Sequence, residues 1–75
     1  MKYKITDITN FINTVPCKTI MEAALKLGIS QPALSESLKR LEIDIGFKLF
    51  YRSRTGIKLT PNGSLYLEKA KIAIN

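Results

Sequence analysis

The chain has 75 residues, with twelve lysines and arginines against six acidic residues and a net charge of +6. A chain this short builds one small domain that buries only about 60% of its unfolded surface, and its charge favours polyanionic partners such as nucleic acid or an acidic membrane, although charge alone fits a merely basic soluble domain equally well. With no histidine and one cysteine, Cys17, it excludes an intrachain disulfide, cysteine–histidine catalysis and the common zinc-ligand sets.

Uncharged runs such as Ile8 to Cys17 are too short to cross a bilayer, and the N-terminal MKYKITD lacks the apolar core of a signal peptide. The chain is therefore expected in the cytoplasm, with no membrane partner.

Ile5, Ile8, Phe11, Ile12 and Val15 recur at helical spacing, which predicts one amphipathic helix with a buried face. Pro16 ends it, because the residue before a proline disfavours helical geometry, and Thr14 to Lys18 form a connector. Thr19-Ile20-Met21-Glu22 fits a capping box: the threonine oxygen takes an N–H of the first turn and the glutamate reaches back. The second helix that starts there has an apolar face of Ile20, Ala23, Ala24 and Leu27, and it stops at Gly28.

Ser30 caps a third helix that runs to Ile45, with Pro32 in its first turn, where a missing N–H costs little. At about 100° per residue, Leu34, Leu38, Leu41 and Ile45 share one narrow sector. Pro32, Ser35, Glu36 and Lys39 form the opposite face, which is polar and flat enough to approach another surface closely. Helix, short glycine-containing turn and capped helix make a helix-turn-helix signature. An ordinary helical hairpin uses the same turn chemistry, but a short polar face near the N-terminus is what a major-groove reader requires.

After Gly46, the β-prone segments Phe47 to Arg52 and Ile57 to Leu59 flank the polar turn Ser53-Arg54-Thr55-Gly56. They predict a β-hairpin with Ile57 and Leu59 inward, Lys58 outward, Arg54 at the tip and Arg52 at the base. Lys39, Arg40, Lys48, Arg52, Arg54 and Lys58 stand against only Glu42 and Asp44 in this region. The hairpin is accordingly read as a wing that lays arginine along a DNA backbone or in the minor groove, rather than as a solvated turn.

Thr60 and Pro61 open the last helix as N-cap and first position. Leu65, Lys69 and Ile72 lie on one side of it. Tyr66, Ala70, Ala73 and Ile74 add more apolar surface than one stripe requires, enough to pack on its own domain and on a second copy.

Ala23-Ala24 with Leu27, SQPALS from Ser30 to Ser35, Leu41-Glu42, Gly46, Leu49-Phe50, Arg52, Gly56, Leu59-Thr60 and Gly63 together span nearly the whole chain. In their order and spacing the sequence resembles the DNA-binding domain of LysR-type transcriptional regulators. The resemblance implies a mainly α, winged helix-turn-helix fold with a three-helix core, a β-hairpin wing and a C-terminal linker helix. As one domain over 1–75, the helix-turn-helix would occupy about 19–45, the wing about 49–59 and the start of the linker helix about 61–75.

The same resemblance implies roles for single residues. Gln31, Pro32 and Ser35 would face bases and nearby sugar-phosphate, and Ser30 at the helix N-terminus would be available to a phosphate. Arg52 would hold the backbone beside the wing, and Arg54 would enter or line the minor groove. Glu36 stands where many members carry a basic or amide residue. It is expected to affect sequence preference, by accepting a bond from cytosine N4 or by orienting Lys39 or Arg40. Leu25 and Ile43 are apolar where polar residues are usual, either covered by a partner surface or simply exposed.

The family's longer effector-binding domain is missing, which fits an excised domain or a naturally short protein. A small-molecule inducer is expected only if such a domain exists. The leading expectation is sequence-specific binding of double-stranded DNA for transcription regulation, as a homodimer through the last helix, with Ser30, Gln31, Pro32, Ser35, Glu36, Lys39, Arg52 and Arg54 facing DNA. The alternative is a winged-helix protein-interaction module that uses the last helix and the surfaces around Leu25 and Ile43. Scattered carboxylates, with no phosphate-binding glycine loop and no histidine, argue against an enzyme, so no catalytic residue, metal or cofactor is assigned.

Overall fold

The structure, a computed structural model, describes residues 4–74, with side chains to residue 72. The elements in order are α1 (Ile5–Thr14), α2 (Ile20–Leu27), α3 (Gln31–Ile45), β1 (Phe50–Ser53), β2 (Gly56–Leu59) and α4 (Pro61–Ile74). The expected apolar contribution of Ala73 and Ile74 lies outside the described side chains.

Each core helix starts and stops where its end chemistry says it should. The Asp7 carboxylate accepts the backbone N–H of Lys4 at 2.8 Å, which satisfies a donor at the open end of α1. Thr19 Oγ1 accepts the Glu22 N–H at 3.0 Å, and Ser30 Oγ accepts the Ala33 N–H at 3.2 Å. Gly28 and Gly46 close α2 and α3 in the left-handed conformation, at φ 71° and 89°. One expectation shifts by a residue: the Glu22 carboxylate accepts from the N–H of Lys18 at 3.1 Å rather than from Thr19. Lys18 is thereby held at both its backbone polar groups, since its carbonyl accepts the Ile57 N–H from the hairpin at 2.9 Å.

The core lies where α1, α2 and α3 meet. Phe11, Ala23, Leu34, Leu38, Leu41 and Leu49 are completely buried there, and Ala24 nearly so. The two alanines let α3 approach α2 closely. Ile45 is half-buried at the end of its stripe. Ile5 departs from its expected place: it is 76% exposed, because it opens α1 and stands about 120° from Phe11 on the helix wheel. Leu25 and Ile43 are exposed within this chain.

The hairpin is antiparallel and pairs Phe50 with Leu59, Tyr51 with Lys58, Arg52 with Ile57 and Ser53 with Gly56. The first strand starts three residues later than its β-prone composition predicts. Leu49 gives its N–H to Glu42 instead of to a ladder, and Phe47 packs edge-on against Tyr66, with ring centroids 6.3 Å apart. Phe11 contacts both Phe50 and Tyr66, at 5.5 and 5.7 Å, so one aromatic cluster joins α1, the hairpin and α4.

Two glycines allow close backbone approaches that any other residue would block. A Cβ on Gly56, which sits at φ 144°, would collide with the Lys18 carbonyl oxygen, and one on Gly63 would collide with that of Leu49. Thr60 caps α4, its Oγ1 accepting the Gly63 N–H at 2.8 Å. The helix packs inward through Tyr66, Leu67 and Ala70, leaving Leu65 and Ile72 61% and 81% exposed. No helix among the described residues is long and apolar enough to cross a membrane.

Candidate nucleic-acid interface

The buried stripe of α3 turns Gln31, Pro32, Glu36 and Lys39 outward, all exposed, with Ser35 half-buried at the edge. The hairpin folds back along this same helix. Arg52 and Phe50 alternate onto the hairpin face that meets the domain, which aims Arg52 at α3. Its Nη1 donates to Ser35 Oγ at 3.1 Å and its Nη2 to Glu42 Oε1 at 3.4 Å. Arg52 therefore spans two turns of α3. It sits one pair below the hairpin turn, not at the base, because the strands are short and Arg52 faces Ile57.

Glu42 joins the two elements. It is only 5% exposed, and its Oε2 accepts the backbone N–H groups of Leu49 at 2.7 Å and Phe50 at 3.3 Å. A buried carboxylate needs such partners, and bonds to a charged acceptor are the stronger kind. Ser35, Arg52, Glu42 and the start of β1 thus form one connected unit.

A second polar network fixes the far side of α3. Asp7, 1% exposed, accepts Arg40 Nε at 2.8 Å, Arg40 Nη2 at 2.9 Å and Ser37 Oγ at 2.6 Å, while Asn10 Nδ2 donates to Ser37 Oγ at 3.0 Å. The Arg40 hydrogen bonds, against the opposing effect of burial and with help from Ser37 and the Lys4 N–H, hold the Asp7 carboxyl down to about 2. Asp7 in turn raises the Arg40 pKa. Arg40 was expected among the cations that make the wing region basic. It is paired with Asp7, with its side chain still 34% exposed.

The predicted site residues divide into two groups. Gln31, Pro32, Ser35 and Arg52 line one groove of about 340 Å³ with Ile20. Gln31, Arg52 and Arg54 line the adjoining groove with Thr19 and Met21. Ser30 lies at the start of the same helix, its Oγ engaged as the cap. Lys39 stands apart, beside Ile43, Phe47 and Lys48. Glu36 is solvent-facing and reaches Arg40 Nη1 only at 4.0 Å, a weak pair at an exposed site. Among the described residues, no three histidine, cysteine, aspartate or glutamate side chains gather as a metal would need.

Sequence reasoning missed Glu42 and Asp7 as organisers. Their positions carried a signal: Asp7 lies one turn before buried Phe11, and Glu42 lies one turn after buried Leu38. A carboxylate in such a sector must find partners within the fold.

The same architecture recurs in known proteins. The model of the family described as bacterial regulatory helix-turn-helix protein, lysR family, matches residues 5–64. The chain is 43% identical over 54 residues to the uncharacterized HTH-type transcriptional regulator YcgK of Bacillus subtilis, covering 72% of this chain and 17% of that protein. It is 50% identical over 48 residues to the HTH-type transcriptional regulator BudR of Klebsiella aerogenes, covering 64% and 34%. Among solved structures, the CbnR DNA-binding domain in complex with DNA superposes with a TM-score of 0.90 at 32% identity, over 95% of this chain and 82% of that one. The BenM DNA-binding domain on catB site 1 DNA gives 0.86 at 30% identity, over 95% and 80%. The chain spans between 15% and 34% of the length of the curated relatives compared. With the family matched over all three core helices and the wing, this chain belongs to the LysR family of bacterial helix-turn-helix regulatory proteins.

Proposed function

We propose that this chain is a sequence-specific reader of double-stranded DNA that serves transcription regulation in the cytoplasm. The observation that carries the reading is the gathering of Gln31, Pro32 and Ser35 on the N-terminal face of α3 in one groove with Arg52 of the wing, while Arg54 lines the adjoining groove. A helix face of this kind fits the major groove. Similarity to the DNA-bound CbnR and BenM domains supports it.

In this reading Gln31 is the principal base reader, with Pro32 and Ser35 packed against bases and sugar. Ser30 lies near a phosphate, and Arg54 enters or follows the minor groove. Arg52, braced on Glu42 and Ser35, meets the backbone at a fixed angle. Lys39 adds backbone charge, and Glu36 tunes base preference. Two copies associate through the outward side of α4, where Leu65 and Ile72 stand exposed, and place one α3 in each of two half-sites.

The test is an anisotropy titration of a mixed-sequence duplex across a salt series. Four to six neutralised phosphates give a slope of log K against log salt of roughly −3.6 to −5.4. Absence of binding, or binding indifferent to salt, contradicts the proposal.

A further inference from the structure

The hairpin has a second face. Register alternation puts Tyr51, Ser53 and Lys58 on the side opposite Arg52, and that side borders the connector between α1 and α2. Connector and wing are joined by the Ile57 N–H on the Lys18 carbonyl at 2.9 Å and by the close approach that Gly56 permits. Between them runs a groove of about 460 Å³, lined by Lys18, Tyr51, Ser53, Thr55 and Lys58 over a floor that includes Cys17 and Ile57.

Its charge is one-sided. Lys18 and Lys58 are exposed, and no acidic side chain lines the groove. The three ion pairs found among the described residues use neither lysine. The acid closest in sequence, Glu22, accepts the backbone N–H of Lys18. Tyr51, 60% exposed, brings a phenol to the same wall, while the Ser53 and Thr55 hydroxyls bond each other at 3.0 Å and Ser53 Oγ also donates to the Gly56 carbonyl at 3.4 Å. Two ammonium groups without a carboxylate partner, carried on segments that the Ile57–Lys18 backbone bond joins and accompanied by the Tyr51 phenol, match a phosphodiester chain: phosphate oxygens only accept, and ammonium and phenol groups can donate to them.

We propose that this outer face, Lys18 with Tyr51 and Lys58, holds the phosphate backbone of the duplex on the side of the wing away from α3. The inference rests on the DNA-binding reading and extends it, since the wing then grips DNA by both faces. Arg52 acts on the inner face, and the two lysines add contacts farther along the same duplex.

The experiment compares wild type, Lys18→Ala/Lys58→Ala and a control of equal charge, Lys26→Ala/Lys71→Ala, whose lysines are exposed on α2 and α4 outside this groove. All three are titrated against one 30-base-pair mixed-sequence duplex over a salt series, with melting curves to verify folding. The outer-face double should flatten the log–log slope by about 1.8, two contacts at about 0.9 each, while the control keeps the wild-type slope. A wild-type slope in the outer-face double, or equal flattening in both doubles, overturns the second face and leaves the α3 interface standing. Failure of wild type to bind overturns both.

Discussion

The guanidinium of Arg40 grips the carboxylate of Asp7 through two bonds, Nε to Oδ2 at 2.8 Å and Nη2 to Oδ1 at 2.9 Å, tying the first turn of α1 to the middle of α3. The pairing fixes the roll of the proposed recognition helix without using its outer face. Because the folded Asp7 titrates at about 2, below the ordinary carboxylate value of roughly 3.9, its stabilisation is complete above that value and lost as pH falls through about 2. The contribution is about 2.5 kcal/mol. Asp7→Asn should lower stability at neutral pH by a similar amount, and the gap to wild type should close between about pH 4 and pH 2. Denaturant unfolding of both proteins across that range checks it; a gap independent of pH contradicts the assignment.

Glu42 performs the corresponding task for the wing. In Glu42→Ala the N–H groups of Leu49 and Phe50 lose a charged acceptor, with a stability cost of about 2 kcal/mol. Hydrogen exchange should accelerate at those two amides and through β1 far more than in α1. Uniform acceleration throughout the domain would mean that Glu42 supports the core in general and not the wing in particular.

The backbone approach at Gly56 gives a third expectation. Alanine at Gly28 meets no neighbour within 4 Å and bears only the strain of its positive φ, about 1 kcal/mol. Alanine at Gly56 bears that strain and also collides with the Lys18 carbonyl oxygen. Gly56→Ala should therefore lower the melting temperature clearly more than Gly28→Ala does. Equal shifts would show that the connector yields freely to the wing.

These cases show which parts of the molecule were legible in the sequence. Caps and stripes are local, so Thr19, Ser30, Gly28 and the run Leu34, Leu38, Leu41 announce α2, α3 and their turn directly. The hairpin was legible from its polar turn, and the α3 face from what the stripe leaves outside. Long-range polar pairing was not. Asp7 and Arg40 are 33 residues apart, and nothing in either neighbourhood says that one consumes the other's charge. Arg40, counted with the basic residues of the wing region, is paired with Asp7 for a reason that lies outside that region. The placement of Arg52 one pair from the turn depended on where β1 begins, and that in turn depended on Glu42 capturing the Leu49 N–H. Gly56 and Gly63 were visible as glycines, yet the carbonyls they admit come from other segments of the chain.

Base reading and backbone holding separate in a pair of variants. Gln31→Ala should cost about 1 to 3 kcal/mol on a preferred duplex and relax base preference. Arg52→Ala should weaken binding about equally on every sequence. Its loss also leaves the buried Glu42 without its guanidinium, so its unfolding curve should shift where that of Gln31→Ala does not. Titrations of preferred and scrambled duplexes against each variant check the split. An unchanged preference in Gln31→Ala would remove that residue from the base-reading face.

The most direct test of the central claim is selection from a randomised duplex library at two salt concentrations, with enriched sequences and salt slope read together. A dimeric winged-helix reader predicts enrichment of an interrupted inverted repeat with a steep salt slope. No enrichment together with a shallow slope would contradict it and turn attention to the exposed side of α4 as a protein-binding surface.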